Sequence, residues 1–423
     1  MRTLHYPEPE MQLNYAFPSS RGLTEELAHA EPRHRGSNFV AKAKALLDMD
    51  DISVTTIQAC VLLGTISFSE SKTESEALYY ALANRLAFIL DLPHRPTRDE
   101  VGRQVNLRIY WTLYMIDIWS STGLQLPRQM SHSGHIMLPV EESIYLDLSA
   151  TSTRPNSASS SIWAEMVHLA HIWAEIHDLN KAIVDGSMRS EFLTPAVETL
   201  SNKLSSWSRS LQPHLKATRE NLQLYASLGF GSALAALHLG FHYYNEVLFY
   251  QFLAEDAHPS SVSTAFYKEN CKTHAAFFCD LLYTCRTIPG CECFYIMVGH
   301  MLVVTSTVYI HTLLFSDMED QIRIARQRLE QNFEILTQLQ SYWIKLDDSL
   351  SRLKAFHNAC TTSVESSFSM DRWMVSFILE HGTQAYKKFG HDTPSSPGHA
   401  MISSKSPSPV LTLQDWYTQT FPV

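Results

Sequence analysis

Residues 38–130 carry three helical blocks: NFVAKAKALLDMDDISVTTIQACVLLGTISFSES (38–71), EALYYALANRLAFILDLPHRP (76–96) and VNLRIYWTLYMIDIWSSTGLQLPRQM (105–130). Apolar residues recur here every three or four positions, the period of an amphipathic helix and not the alternation of a strand. Ser53 or Thr55 stands where an N-cap belongs, ahead of a stripe of Ile57, Val61, Leu62 and Phe68. In the second block, alanines at 77, 81, 83 and 87 allow close helix approach while Leu82, Leu86 and Leu90 fill a core. The third block stacks Tyr110, Trp111 and Tyr114 along one face and ends with Asp117. Arg85 and Arg108 lie among apolar neighbours, so a charge partner is needed if they are buried. The expectation is an internal ion pair from Arg85 or Arg108 to Asp117.

The same period runs outward through the chain. It recurs over Ile162–Val184, Thr194–Ser210, Leu222–Leu253, Ser263–Cys285, Cys293–Phe315, Gln321–Lys354 and Arg372–Phe389. No run alternates as a strand would. The predicted fold class is therefore all-α, a large multi-helix domain in two helical blocks joined by a Ser-rich loop. Residues 1–37 read as a loose arm, 38–148 as the N-terminal block and 149–161 (SATSTRPNSASSS) as a polar linker. Residues 162–390 form the C-terminal block, and 391–423 a loose tail whose Leu411, Leu413, Trp416, Tyr417 and Phe421 are expected to dock on the domain.

Composition excludes several function classes. Lys and Arg number 33 against 43 Asp and Glu, a net charge of −10, so the chain's field repels a phosphate backbone. The longest basic run is Lys387-Lys388. Seven scattered cysteines and an N-terminus without an apolar leader suggest a reducing intracellular compartment. Phe294–Phe315 is long enough to span a bilayer, but His300, His311 and the Thr305-Ser306-Thr307 cluster favour a buried central helix, with no membrane partner.

Heptad spacing marks the segment from Gln321. One seam position holds Ile322, Leu329, Leu336, Trp343 and Leu350; the other holds Ala325, Asn332, Leu339, Leu346 and Leu353. Such a stripe zips a homodimer or packs within its own domain. Trp343 is awkward in a two-stranded seam, which favours the core reading.

Candidate chemistry is sparse. His238, His242 and Glu246 share one helix face and could meet a metal, yet Leu239 stands where a zinc protease needs Glu. Cys271, Cys279, Cys285, Cys291 and Cys293 lack the short chelating pairs of a zinc module, and His168, His171 and His177 have no carboxylate that singles them out. Asp48-Met49-Asp50-Asp51 fits a loop before an N-cap better than a metal motif. GFGSA at 229–233 lacks the frame of a nucleophile elbow, and no Gly-rich loop cradles phosphate. The expectation is no catalytic residue, no metal site and no enzyme; an all-helical small-molecule-binding or enzymatic protein is the alternative.

The order of the blocks resembles the fungal-specific transcription factor domain, the middle homology region of zinc binuclear cluster factors. NFVAKAKALL looks like its entry helix and SVTTIQACVLLGTISF like its Thr-x-Gln-Ala helix. ALYYALANRLAFILDLPHRP resembles the small-residue helix ending in a Leu-Gly-Leu-His-Arg type turn, with Pro93 as a departure. NLRIYWTLYMIDIWSSTGLQLPRQM resembles the Arg-x-x-Trp-Trp…Asp…Ser…Gly-x-Pro segment, with Tyr110-Trp111 where two tryptophans are common. The resemblance implies a nuclear (or nuclear and cytoplasmic) transcription regulator acting through co-regulators, the transcription machinery or a small-molecule effector. Family members read CGG-type half-sites through an N-terminal six-cysteine cluster that binds two zinc ions. No such cluster precedes Asn38, so DNA reading and zinc are expected to be absent from this chain, through loss or because the sequence starts downstream of them.

Overall fold

The computed structural model describes residues 31–130, 136–152, 160–253 and 262–363. These residues fold as α1 (Ser37–Leu46), α2 (Val54–Ser69), α3 (Thr73–Ile89), α4 (Glu100–Leu124), α5 (Glu142–Asp147), α6 (Ile162–Val184) and α7 (Ser190–Ser210). There follow α8 (Arg219–Ser227), α9 (Gly231–Phe249), α10 (Val262–Arg286), α11 (Ile296–Phe315), α12 (Glu319–Gln340) and α13 (Lys345–Ser363). Strands are absent among the described residues, and the fold is all-α.

Side-chain caps set several starts. Ser53, Asp99, Ser161 and Thr218 accept the backbone N–H three residues ahead at the heads of α2, α4, α6 and α8. Asp51 reinforces the first of these by accepting from both Ser53 Oγ and Thr56 Oγ1 at 2.8 Å, so the aspartate-rich loop is a capping device. At its far end α4 closes on Gln125 in the left-handed region, φ 56°.

Two long expected helices are each two in the structure. Leu222–Leu253 breaks after α8 because Gly229 takes φ +81°, turning the chain before α9 starts at Gly231. A Cβ on Gly231 would lie 2.5 Å from the Gly290 carbonyl, so only glycine lets α9 start against that turn. The heptad run breaks at 341–344, where Trp343 turns its indole N–H to the Phe294 carbonyl at 2.7 Å. The seam thus belongs to α12, the intervening turn and α13, all packed on α11.

The interior is one continuous apolar cluster reaching from Ile57 to Phe356, so the N- and C-terminal blocks share a core. At its centre lies α11, buried over most of its length as a helix hydrophobic all round requires. The hydroxyls of its Thr305-Ser306-Thr307 cluster are satisfied: Thr305 donates to Glu246, Ser306 to the Leu302 carbonyl and Thr307 to the Val304 carbonyl. Part of the expected loose arm is pinned, since the Arg33 guanidinium grips Asp347 at 2.8 Å and the Gln340 carbonyl. The expectations for residues 1–30, most of the 149–161 linker, the Arg372–Phe389 helix with Lys387-Lys388, and the 391–423 tail with Leu411, Leu413, Trp416, Tyr417 and Phe421 lie outside the described residues.

Candidate functional site

Helices from both blocks line a partly open cavity of about 340 Å³. Thr65 and Phe68 of α2, Glu76 and Tyr80 of α3, and Met115, Trp119 and Ser120 of α4 form one side. Opposite stand Met166 and Leu169 of α6, Gly240 and Tyr244 of α9, and Tyr295, Met297 and Met301 at the head of α11. The lining is largely aromatic, aliphatic and thioether, with a few polar groups gathered at the α3–α4 side. That composition is typical of a small-molecule pocket, and its methionines adapt to an occupant's shape.

Local sequence explains why the cavity persists. On α3 the buried face runs Glu76, Tyr80, Ala83 and Ala87, the four-three-four spacing of a helix stripe. The alanines of this stripe are buried in the core, while Glu76 and Tyr80 line the cavity. Gly64 on α2 accommodates the Tyr80 ring, which a Cβ there would strike. Trp119 closes the wall by stacking on Trp173 (centroids 5.1 Å) and Tyr243, and Trp173 stacks on Tyr244 at 4.7 Å.

Among the described residues Glu76 is the one carboxylate lining the cavity, and it is 2% exposed. Oε1 accepts from Ser120 Oγ at 2.8 Å; Oε2 has no hydrogen-bond partner. Burial pushes this carboxyl up to about 7, the Ser120 hydrogen bond and the charge of Lys345 opposing it. Beside it the Tyr80 hydroxyl meets Thr65 Oγ1 at 3.1 Å, and the Tyr295 hydroxyl is buried without a hydrogen bond. Lys345, 3% exposed, lies 5.9 Å over the Phe68 ring and 3.9 Å from Asp348. Burial lowers its ammonium.

The expected ion pair from Arg85 or Arg108 to Asp117 is not formed. Arg85 is exposed on the outer face of α3. Arg108 donates to Gln104 Oε1 and the Val140 carbonyl and lies 3.8 Å over the Tyr145 ring. Asp117 instead accepts the backbone N–H groups of Gln129 and Met130, both at 2.8 Å, with Asn84 and Ser121 beside it. Burial raises this carboxyl, and the two amides, with the nearby charge of Arg128, oppose that shift while tying the Leu-Pro-Arg-Gln-Met segment back onto α4.

The other sequence candidates resolve into core. Leu329, Leu336, Leu339, Leu346 and Leu350 are at most 4% exposed and Trp343 only 7%, all within the chain's own interior. His238 bonds the Leu215 carbonyl at 2.7 Å, His242 meets His274 at 3.1 Å between their Nδ1 atoms, and Glu246 turns to Thr305. The three therefore point to different partners, and no metal-holding group of three or more ligands exists among the described residues. Six cysteines are free and buried; the side chain of the seventh, Cys360, lies outside the described residues. Sequence reasoning does not single out Glu76, although its place on the buried stripe of α3 is legible from the spacing.

Comparison with known proteins bears on residues forming four of the six cavity helices. Residues 11–209 match the family model described as the fungal specific transcription factor domain. A protein of Schizosaccharomyces pombe, described as an uncharacterized transcriptional regulatory protein, is 22% identical over 240 residues, covering 48% of this chain. The chain spans 29% of that relative's length. No solved structure matches the chain.

Proposed function

Since residues 11–209 carry a fungal specific transcription factor domain, we propose that the chain is a regulator of transcription whose helical domain is controlled by a small molecule held between its two blocks. The observation that carries this reading is the cavity of about 340 Å³, walled by α2, α3 and α4 on one side and α6, α9 and α11 on the other. An occupant touching all six helices favours whichever relative packing gives it the most contacts, and differential affinity is the only means by which a ligand shifts a conformational equilibrium. The readers of that shift would be co-regulators or the transcription machinery, in the nucleus. DNA contact would come through a separate cysteine cluster, because the net charge of −10 opposes binding to phosphate.

The reading is tested by joining the full chain to an unrelated DNA-binding module upstream of a reporter gene. The fusion should change expression relative to the module alone, and Gly240→Leu, which fills the cavity from α9, should alter that output while leaving the helical circular dichroism signal intact. Output identical to the bare module would overturn the proposal. So would a Gly240→Leu fusion that folds and behaves as the parent does.

A further inference from the structure

Glu76 lines a mostly apolar cavity, and its Oε2 is a buried oxygen with no hydrogen-bond partner. A buried acceptor left unmade costs about 1–3 kcal/mol, more if charged, so an occupant that supplies a donor there gains what the empty site lacks. The lining also carries the rings of Phe68, Tyr80, Trp119, Tyr244 and Tyr295, and an aromatic lining attracts a cation. A carboxylate ligand would instead bring like charge against Glu76, and a sugar or other polyol would find too few polar partners along the aliphatic and thioether wall.

We infer that this cavity takes a lipophilic amine, a mostly apolar molecule whose single protonated nitrogen meets Oε2 of Glu76 beneath the rings of Tyr80, Trp119 and Tyr244. The inference deepens the proposed function and rests on the cavity being the effector site. The apolar body lies along Met115, Met166, Met297 and Met301, and the Ser120 hydroxyl holds the carboxyl in place through Oε1.

The charges around Glu76 set the pH behaviour. Lys345 acts from α13 and favours the ionised carboxylate, Tyr80 sits one turn ahead on α3, and Ser120 donates from α4. Arg352 and Asp348 act on Lys345. With the empty site's carboxyl near 7, the ammonium gains most above that pH and progressively less below it.

Three probes of nearly equal shape separate the outcomes: 4-phenylbutylamine, 4-phenyl-1-butanol and 4-phenylbutyrate, each titrated into the full chain by isothermal calorimetry. At about pH 8 the amine should bind about tenfold more tightly than the alcohol, and the butyrate most weakly, as expected of a charge-assisted bond against a neutral one. In Glu76→Gln the amine and alcohol should become equal, with the alcohol's affinity kept. If that variant does not fold, the parent gives the same answer, because the amine's preference should shrink at about pH 5.5, where Glu76 holds its proton. Equal binding of amine and alcohol to the parent, or a preference that survives Glu76→Gln, would overturn the amine inference while leaving the cavity as the ligand site. Binding of none of the three up to millimolar concentration would overturn both.

Discussion

Ser120 on α4 donates its hydroxyl to Oε1 of Glu76 on α3 at 2.8 Å, while Oε2 of the same carboxyl is buried without a hydrogen bond. One oxygen is thus anchored and the other left without a donor. Ser120→Ala should remove the anchor and leave both oxygens unmet. The expected cost is about 1–3 kcal/mol in urea unfolding, and it should be larger at pH 8 than at pH 5, because the ionised carboxylate depends most on the donor.

Glu246 gives the chain an alkaline weakness. It is fully buried, and burial raises its carboxyl from 4.5 to about 8, the Thr305 hydroxyl opposing. A carboxyl raised in the folded state binds more protons folded than unfolded between those values. Its contribution is therefore complete below the unfolded value and fades as pH rises through about 8. Glu76 acts in the same sense up to about 7. Glu246→Gln should flatten the fall in melting temperature between about pH 5 and 8, which a pH series of thermal melts reads directly.

The imidazoles act on the acid side. Burial lowers His242 to about 3, with His274 and His238 adding to the effect, and lowers His274 to about 4. Depressed bases stay neutral when folded, so their contribution is present above about 6.5 and lost as pH falls through the folded values. His274→Phe should shallow the loss of stability between about pH 6.5 and 4. An unchanged acid limb would contradict the buried, neutral pair.

Asn332 stands at a seam position of the heptad run and works inside the chain. It accepts from Tyr283 at 2.6 Å and from Cys279 Sγ, and donates to Ser306 at 3.1 Å. Asn332→Leu should cost about 2–4 kcal/mol by stranding these partners, measured by chemical unfolding. Leu339→Glu, in a fully buried position, should abolish the folded state and not merely split a dimer; a folded, monomeric Leu339→Glu chain would contradict the packing.

How much of this is legible in the sequence follows from the range of each signal. Helix class and most spans come through because an apolar stripe with a capping serine is local information: the span Ile162–Val184 is readable to the residue, with Ser161 as its cap. The breaks at Gly229 and at 341–344 escape sequence reasoning because the apolar period continues across them, and only a glycine conformation and a tryptophan hydrogen bond interrupt it. Pairing Arg85 or Arg108 with Asp117 fails because sequence shows charges but not backbone amides, and Asp117 turns one oxygen to two such amides. The cavity is invisible for the same reason. It exists where six helices meet, and its carboxylate, Glu76, gains meaning only from Ser120, 44 residues away.

The central claim, a ligand seat shared by both helical blocks, is tested most directly by hydrogen–deuterium exchange of the full chain with and without saturating 4-phenylbutylamine. Binding at the junction should slow amide exchange together in α3 and α4 and in α9 and the head of α11, and Gly240→Leu should abolish that protection. Unchanged exchange in these helices, or protection confined to one block or to another part of the surface, would contradict it.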